Sequence, residues 1–203
     1  MKIYLVRHGE TLWNVEGKMQ GWKDSPLSEQ GIGNAKKLGE VLKDVPFDRI
    51  YCSPLGRTLA TAEYIKGERQ IPLVLDDRLK EMGFGTWEGV VRTVLQEQYP
   101  EELENFMTRP HQYQPDGGET FDEVFHRVEQ GLMDLLHHSQ GENLLVVTHT
   151  VVIKTIYAIL KNIPLSDLWC PPYIYDTCLT VIEFNGGKCS FLLESDSSHR
   201  GLE

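Results

Sequence analysis

The amino-acid sequence predicts an α/β protein: a doubly wound, mainly parallel sheet sandwiched by helices, finished by a C-terminal antiparallel hairpin. Three observations carry that expectation. Short β-rich runs alternate with segments of helical period along most of the chain, which is the pattern of a parallel sheet with crossover helices. "NLLVVT", residues 143–148, is almost unbroken apolar sequence, as a strand covered on both faces requires. "CLTVIEF" and "KCSFLLE" flank "NGG", and a glycine turn between two such runs signals a hairpin.

The elements follow in order. Lys2–Val6 is a short β-rich run bounded by polar residues and reads as the first strand. A long loop runs to about Leu27. Ser28 then caps a helix whose apolar positions Ile32, Ala35, Leu38 and Leu42 recur at helical spacing. Arg49–Cys52 is a short strand. In "SPLGR", Ser53 is the expected N-cap and Pro54 the expected first helical residue, which puts Arg57 in the first turn. "IPLVL" from Ile71 is a third strand. Residues 83–118 differ in character, with glycines, three of the ten prolines and two short helical fragments at 90–99 and 101–107. They read as a lid-like excursion from the core. Thr120 and Glu123 form a capping box for a helix with Phe121, Val124, Phe125, Val128, Leu132 and Leu135 on one face. A last helix spans about Thr150 to Leu160. The whole, residues 1–203, reads as one domain carrying the excursion.

Composition narrows the function. A net charge of -10 repels a duplex nucleic acid, whose binding needs a basic stripe. A small anionic substrate is still compatible where local cations outweigh the global field. No apolar run approaches the roughly 20 residues that span a bilayer, so no membrane association is expected. "MKIYLVRHGE" turns polar too soon for a signal peptide. The four cysteines, Cys52, Cys170, Cys178 and Cys189, show no CxxC pair and read as free thiols of a reducing cytoplasmic protein.

Ligands of such sheets sit beyond the carboxyl ends of the strands. There the first strand ends at Arg7-His8, the second leads through Ser53 to Arg57, and the apolar strand ends at Thr148-His149. Two guanidinium forks suit a phosphoryl dianion, and the helix N-termini near Arg57 and after His149 add oriented N–H groups. His8 and His149 are alternatively candidate metal ligands, but flanking arginines disfavour a divalent ion and only Glu10 stands near as a carboxylate. The reading therefore calls for no metal and no cofactor. A neutral histidine can attack phosphorus, and arginines beside it lower its pKa. The departing oxygen then needs a proton. Glu81, in "RLKEMGFGTWEG" after the third strand, reaches the same rim and is the candidate general acid. Glu88 is its rival, although "WEG" reads better as a turn packing Trp87.

These residues resemble the histidine phosphatase, or phosphoglycerate-mutase-like, superfamily. The resemblance rests on "RHGETLWN", "MQGWKDSPLSEQG", "SPLGRTLATAE", "LKEMGFGTWEG", "GGET" and "VVTH", in family order from Val6 to His149. The tail "LWCPPYIYDTCLTVIE" resembles that of the bacterial broad-specificity phosphatases of the family. The resemblance implies a doubly wound α/β sandwich needing no metal. It implies His8 as the phosphorylated nucleophile, Arg7, Arg57 and His149 as phosphoryl ligands, and Glu81 as proton donor and acceptor. Asn14, Gln20 and Gly21 would line the phosphate and substrate pocket. Thr150 departs from the family's usual glycine; its backbone N–H still serves the phosphate, while its side chain narrows the pocket.

Hydrolysis and phosphoglycerate mutation share this catalytic floor. Family mutases resemble one another in a longer insert with an adjacent arginine pair. Here Arg92 and Arg109 are isolated and no Arg-Arg pair occurs. The expected activity is thus phosphomonoester hydrolysis on small phosphorylated metabolites, with mutase activity or a narrow specificity for α-ribazole phosphate or phosphoserine as alternatives. Trp87, Tyr99, Phe106, Met107 and Tyr113 either form a roomy apolar lid or are satellite core. Asn14 has the plainer alternative of a turn cap, and His111, His126, His137, His138 and His199 read as surface or helix-end residues.

Overall fold

The computed structural model describes residues 1–139 and 141–201. Six strands form one sheet: β1 (Lys2–Arg7), β2 (Arg49–Cys52), β3 (Leu73–Leu75), β4 (Asn143–Thr148), β5 (Leu179–Asn185) and β6 (Lys188–Asp196). Their spatial order is β3-β2-β4-β1-β5-β6. β3, β2, β4 and β1 run parallel, β5 adds to β1 antiparallel, and β6 closes the hairpin. Gly186 and Gly187 turn that hairpin with φ of 55° and 79°, a pair of left-handed conformations that favours glycine. The expected doubly wound sheet with its antiparallel hairpin is therefore present. The third strand is shorter than the run from Ile71 suggested.

Seven α-helices accompany the sheet among the described residues: α1 (Leu12–Val15), α2 (Glu29–Val41), α3 (Gly56–Lys66), α4 (Arg92–Gln98), α5 (Pro100–Thr108), α6 (Phe121–His138) and α7 (Thr150–Lys161). Side chains alternate along each strand between the sheet's two faces. Ile3, Leu5, Leu144 and Val146 pack with Val124, Val128, Leu132 and Leu135 of α6 and Ile153 and Ile156 of α7. Val6, Ile50, Leu145 and Val147 pack with Leu38, Leu42, Ala62 and Ile65, which belong to α2, its C-cap and α3. No described helix is long and apolar enough to cross a membrane. The four cysteines are free; Cys52 and Cys178 are buried, and Cys170 is exposed.

Several local expectations need correction. The segment to Leu27 is not all loop, because Thr11 and Asn14 form a capping box around α1. Ser28 and Thr120 cap α2 and α6 through their side chains, but Ser53 does not cap α3. That helix starts at Gly56 after Leu55, which offers no side-chain cap. The carboxylate of Asp24, far away in sequence, accepts from Arg57 N instead, at 3.3 Å. Of the two readings of the excursion's aromatics, the packing favours core for most of them. Phe84, Trp87, Leu95, Leu103, Phe106 and Tyr113 are buried in the same cluster as α6 and α7. Phe106 stacks against Trp87, Tyr113, Phe121 and Trp169 with ring centroids 5.3–6.3 Å apart. Trp87, Phe106 and Tyr113 are thus core, Met107 packs partly against it, and Tyr99 remains exposed.

Candidate active site

Strand register builds the centre of the site. β1 and β4 pair so that Arg7 stands opposite Thr148, and His8 and His149 each follow by one residue. His8 N donates to Thr148 O at 2.9 Å, and the two imidazole centroids lie 5.2 Å apart. Cys52 stands opposite Val147, which brings Ser53 to the same level. Ser53 Oγ and His149 Nε2 are 2.8 Å apart. The parallel strands thus deliver His8, Ser53 and His149 to one edge.

His8 is only 3 % exposed. Its Nδ1 lies 2.7 Å from the carbonyl oxygen of Gly9. A carbonyl only accepts, so Nδ1 carries the proton and Nε2 holds the free lone pair. Burial first, then the charges of Arg7 and Arg57, hold this imidazole well below its ordinary range. Desolvation is a larger cause than either arginine. His149, 0 % exposed, is lowered in the same way by burial and by Arg57, His8 and Arg7.

Arg57 is 1 % exposed and is held from behind. Its Nη2 donates to Gly21 O at 2.7 Å and its Nη1 to Lys23 O at 2.9 Å and Asp24 Oδ1 at 3.0 Å. Arg7 Nη1 donates to Ile174 O at 2.9 Å. Ile174 belongs to a strap, residues 170–177, that buried Lys154 ties down through the carbonyls of Cys170 and Pro172. Arg7 Nε, Arg57 Nε and His149 Nδ1 are buried with no partner among the described residues. Buried polar groups are ordinarily satisfied, and three orphans of this kind on neighbouring residues suit a captured anion. No three His, Cys, Asp or Glu side chains among the described residues gather as metal ligands. Glu10 is engaged elsewhere, accepting from Ser28 Oγ at 2.6 Å.

Glu81 reaches this edge from the segment after β3. Its Oε1 accepts from Met82 N at 3.0 Å and from Val151 N, in the first turn of α7, at 3.2 Å. The Val151 N–H at that helix end therefore serves the carboxyl, and the Arg57 N–H at the start of α3 serves Asp24. Burial pushes Glu81 above the ordinary carboxylate range, against the lowering pull of Met82 N–H, Arg57, Arg7 and Arg127. The rival Glu88 is a structural carboxylate. It accepts from the N–H groups of Trp22, Lys23 and Phe84, stitching the loop at residues 21–24 to the excursion.

The remaining candidates occupy the loop and helix ends around this centre. Gly21 lends its carbonyl to Arg57 at φ +58°, and a Cβ there would lie 2.2 Å from Glu88 Oε1. Gln20 is buried and its Oε1 has no partner among the described residues. Asn14 accepts from Thr11 N and Oγ1, so its oxygen does serve as a turn cap. Thr150 opens α7 and is partly exposed. Of the other histidines, His111, His126, His137 and His138 are exposed and His199 is half-buried against Thr177.

Sequence reasoning missed the supports. Arg127 on α6 donates to the carbonyls of Arg78, Lys80 and Glu81 at 2.8–3.0 Å, and pairs with Glu119 at 2.7 Å. Glu119, of the "GGET" run, accepts in turn from Gly83 N at 2.8 Å. Trp22 Nε1 adds a second donor to Glu81 O at 2.9 Å. An arginine flanked by apolar helix positions was the available signal, because a charge at Arg127 borders the buried face.

This combination of sheet order and converging buried cations defines a phosphoryl-handling α/β enzyme of the phosphoglycerate-mutase-like fold. Residues 3–197 match the Histidine phosphatase superfamily (branch 1), and the chain belongs to that superfamily, as a phosphatase-type enzyme. The solved structure of Bacillus stearothermophilus YhfR is similar, with a TM-score of 0.95, 44 % identity and 98 % of each chain covered. Phosphoserine phosphatase 1 of Hydrogenobacter thermophilus is 36 % identical over 83 % of this chain and 80 % of its own length. The adenosylcobalamin/alpha-ribazole phosphatase of Salmonella typhimurium is 38 % identical over 83 % and 84 %.

Proposed function

We propose that this protein hydrolyses phosphomonoesters of small metabolites through a phosphohistidine at His8, without a metal. The observation that carries the reading is the bond from His8 Nδ1 to Gly9 O, which leaves Nε2 as the attacking atom. Its lone pair forms the N–P bond while the P–O ester bond breaks. Glu81, whose proton affinity burial raises, gives its proton to the leaving oxygen. Water then attacks phosphorus, Glu81 takes its proton, the N–P bond breaks, and inorganic phosphate leaves with His8 neutral again. Arg7 and Arg57 neutralise the equatorial oxygens and His149 holds them by a hydrogen bond, and alignment with charge neutralisation is most of what a loose transition state asks. Asn14, Gln20, Gly21 and Thr150 would line the path of the leaving group.

The deep burial of His8, Arg57, Glu81 and His149 admits a phosphoryl tip rather than a bulky centre, which favours monoesters. The names of the relatives support phosphoserine and α-ribazole phosphate as first substrates to assay. Free thiols fit a reducing, cytoplasmic setting. The test is turnover of a chromogenic phosphate ester together with mass spectrometry of an acid-free quench. Wild type is expected to turn over and to carry phosphate on His8, and His8→Ala to do neither. A fully active His8→Ala variant would overturn the reading, as would efficient primer-dependent isomerisation of 3-phosphoglycerate in place of hydrolysis.

A further inference from the structure

We propose that Ser53 is a positioning residue that fixes the tautomer of His149: its hydroxyl donates to Nε2, so the ring proton sits on Nδ1 and is offered to the phosphoryl group. The inference rests on the phosphoryl-transfer reading above and deepens it.

Ser53 is completely buried, and its Oγ has no partner among the described residues besides His149 Nε2. A serine hydroxyl donates or accepts, so the contact alone leaves two arrangements. If Oγ accepted, Nε2 would hold the ring proton. The hydroxyl hydrogen would then lack an acceptor among the described residues, and Nδ1 would offer a captured phosphoryl group a bare lone pair. A lone pair facing phosphoryl oxygens is repulsive. If Oγ donates, both Ser53 and Nε2 are satisfied, and the buried, unpartnered Nδ1 becomes a donor like the two guanidinium groups.

Burial and the surrounding cations keep the ring uncharged, so the choice lies between the two neutral tautomers. The fold fixes the contact through the main chain. Ser53 N donates to Val147 O at 3.1 Å, which places hydroxyl and ring one step beyond the ends of adjacent strands. Neighbours of a working histidine commonly select its tautomer in this way. The serine expected to cap α3 is thereby committed to a different task.

The test is a long-range proton–nitrogen NMR correlation on ligand-free, nitrogen-15-labelled protein at neutral pH, with His149→Gln assigning the ring. The expected spectrum has a protonated Nδ1 and a bare Nε2 on His149. The reverse pattern overturns the proposal, and this measurement needs no Ser53 variant to fold. Ser53→Ala is expected to lose about 10²-fold in kcat/KM, the scale of one preorganised donor, to bind orthovanadate more weakly, and to show mixed tautomers; Ser53→Thr should restore all three. An unchanged His149 tautomer in Ser53→Ala would overturn the assignment. An active enzyme with Nε2 protonated would defeat this inference alone. A wild type that hydrolyses no ester yet shows protonated Nδ1 would support the tautomer while defeating the phosphatase reading.

Discussion

Burial acts on His8 and Glu81 in opposite chemical directions and to one end. It disfavours charge on both, which lowers the pKa of the proposed nucleophile and raises that of the proposed acid. Glu81→Gln should therefore slow hydrolysis of alkyl phosphates far more than that of nitrophenyl phosphate, whose leaving group departs without a proton. Equal losses in a comparison of kcat for the two would refute the acid role. The same shifts govern stability. His8 and His149 titrate below 6.5 when folded, so below that pH the unfolded chain binds more protons and stability falls as pH drops. Each ring contributes a slope of about 1.4 kcal/mol per pH unit until its folded value is reached. Glu81, raised above 4.5, works the other way: its share is complete below 4.5 and is lost as pH rises through the folded value. Urea midpoints followed from neutral to mildly acid pH should show a shallower fall in His149→Gln than in wild type, and identical slopes would contradict the assignment.

At the scale of elements, the site is held by supports of unequal strength. The α6 capping box is exposed, and Thr120→Ala should cost about 1 kcal/mol in urea denaturation with kcat unchanged. Arg127 and Glu119 are largely buried and grip both flanks of Glu81. Arg127→Met leaves Glu119 uncompensated and should cost about 3 kcal/mol, with kcat reduced most for poor leaving groups because the carboxyl loses its fixed place. Pairing it with Glu119→Gln should recover part of the stability. A variant as stable and as active as wild type would show that the clamp has no role. Gly21→Ala tests the loop at 21–24, where a positive φ and the nearby Glu88 leave no room; weaker phosphate binding is expected from the disturbed grip on Arg57.

Taken as a whole molecule, the architecture was legible wherever its cause was local. Period and apolarity marked β1, β2, β4, α6 and the hairpin, and the alternation of elements implied that several strand ends share a rim. What escaped was set by meetings in space. Ser53 had the composition of a cap, but its hydroxyl meets His149; the cap of α3 comes from Asp24, which no local window connects to it. The excursion's aromatics looked equally suited to pocket or core, and only their neighbours Phe121 and Trp169 decide for core. Arg127 and Trp22 bind carbonyl oxygens, which every residue possesses and no motif records. The metal-free reading is also tested at this scale: dialysis against a chelator should leave kcat/KM unchanged, and loss with recovery on adding zinc would reverse it.

The pairing of Arg7 with Thr148 has a practical corollary for anyone altering this protein. The two rings share a height because peptide groups, not side chains, measure it out. Interior residues of β1 and β4 can be exchanged for others of similar bulk without moving either imidazole. Deleting a single residue from one of these strands would turn its ring toward the opposite face of the sheet, disarming the enzyme while sparing much of its interior.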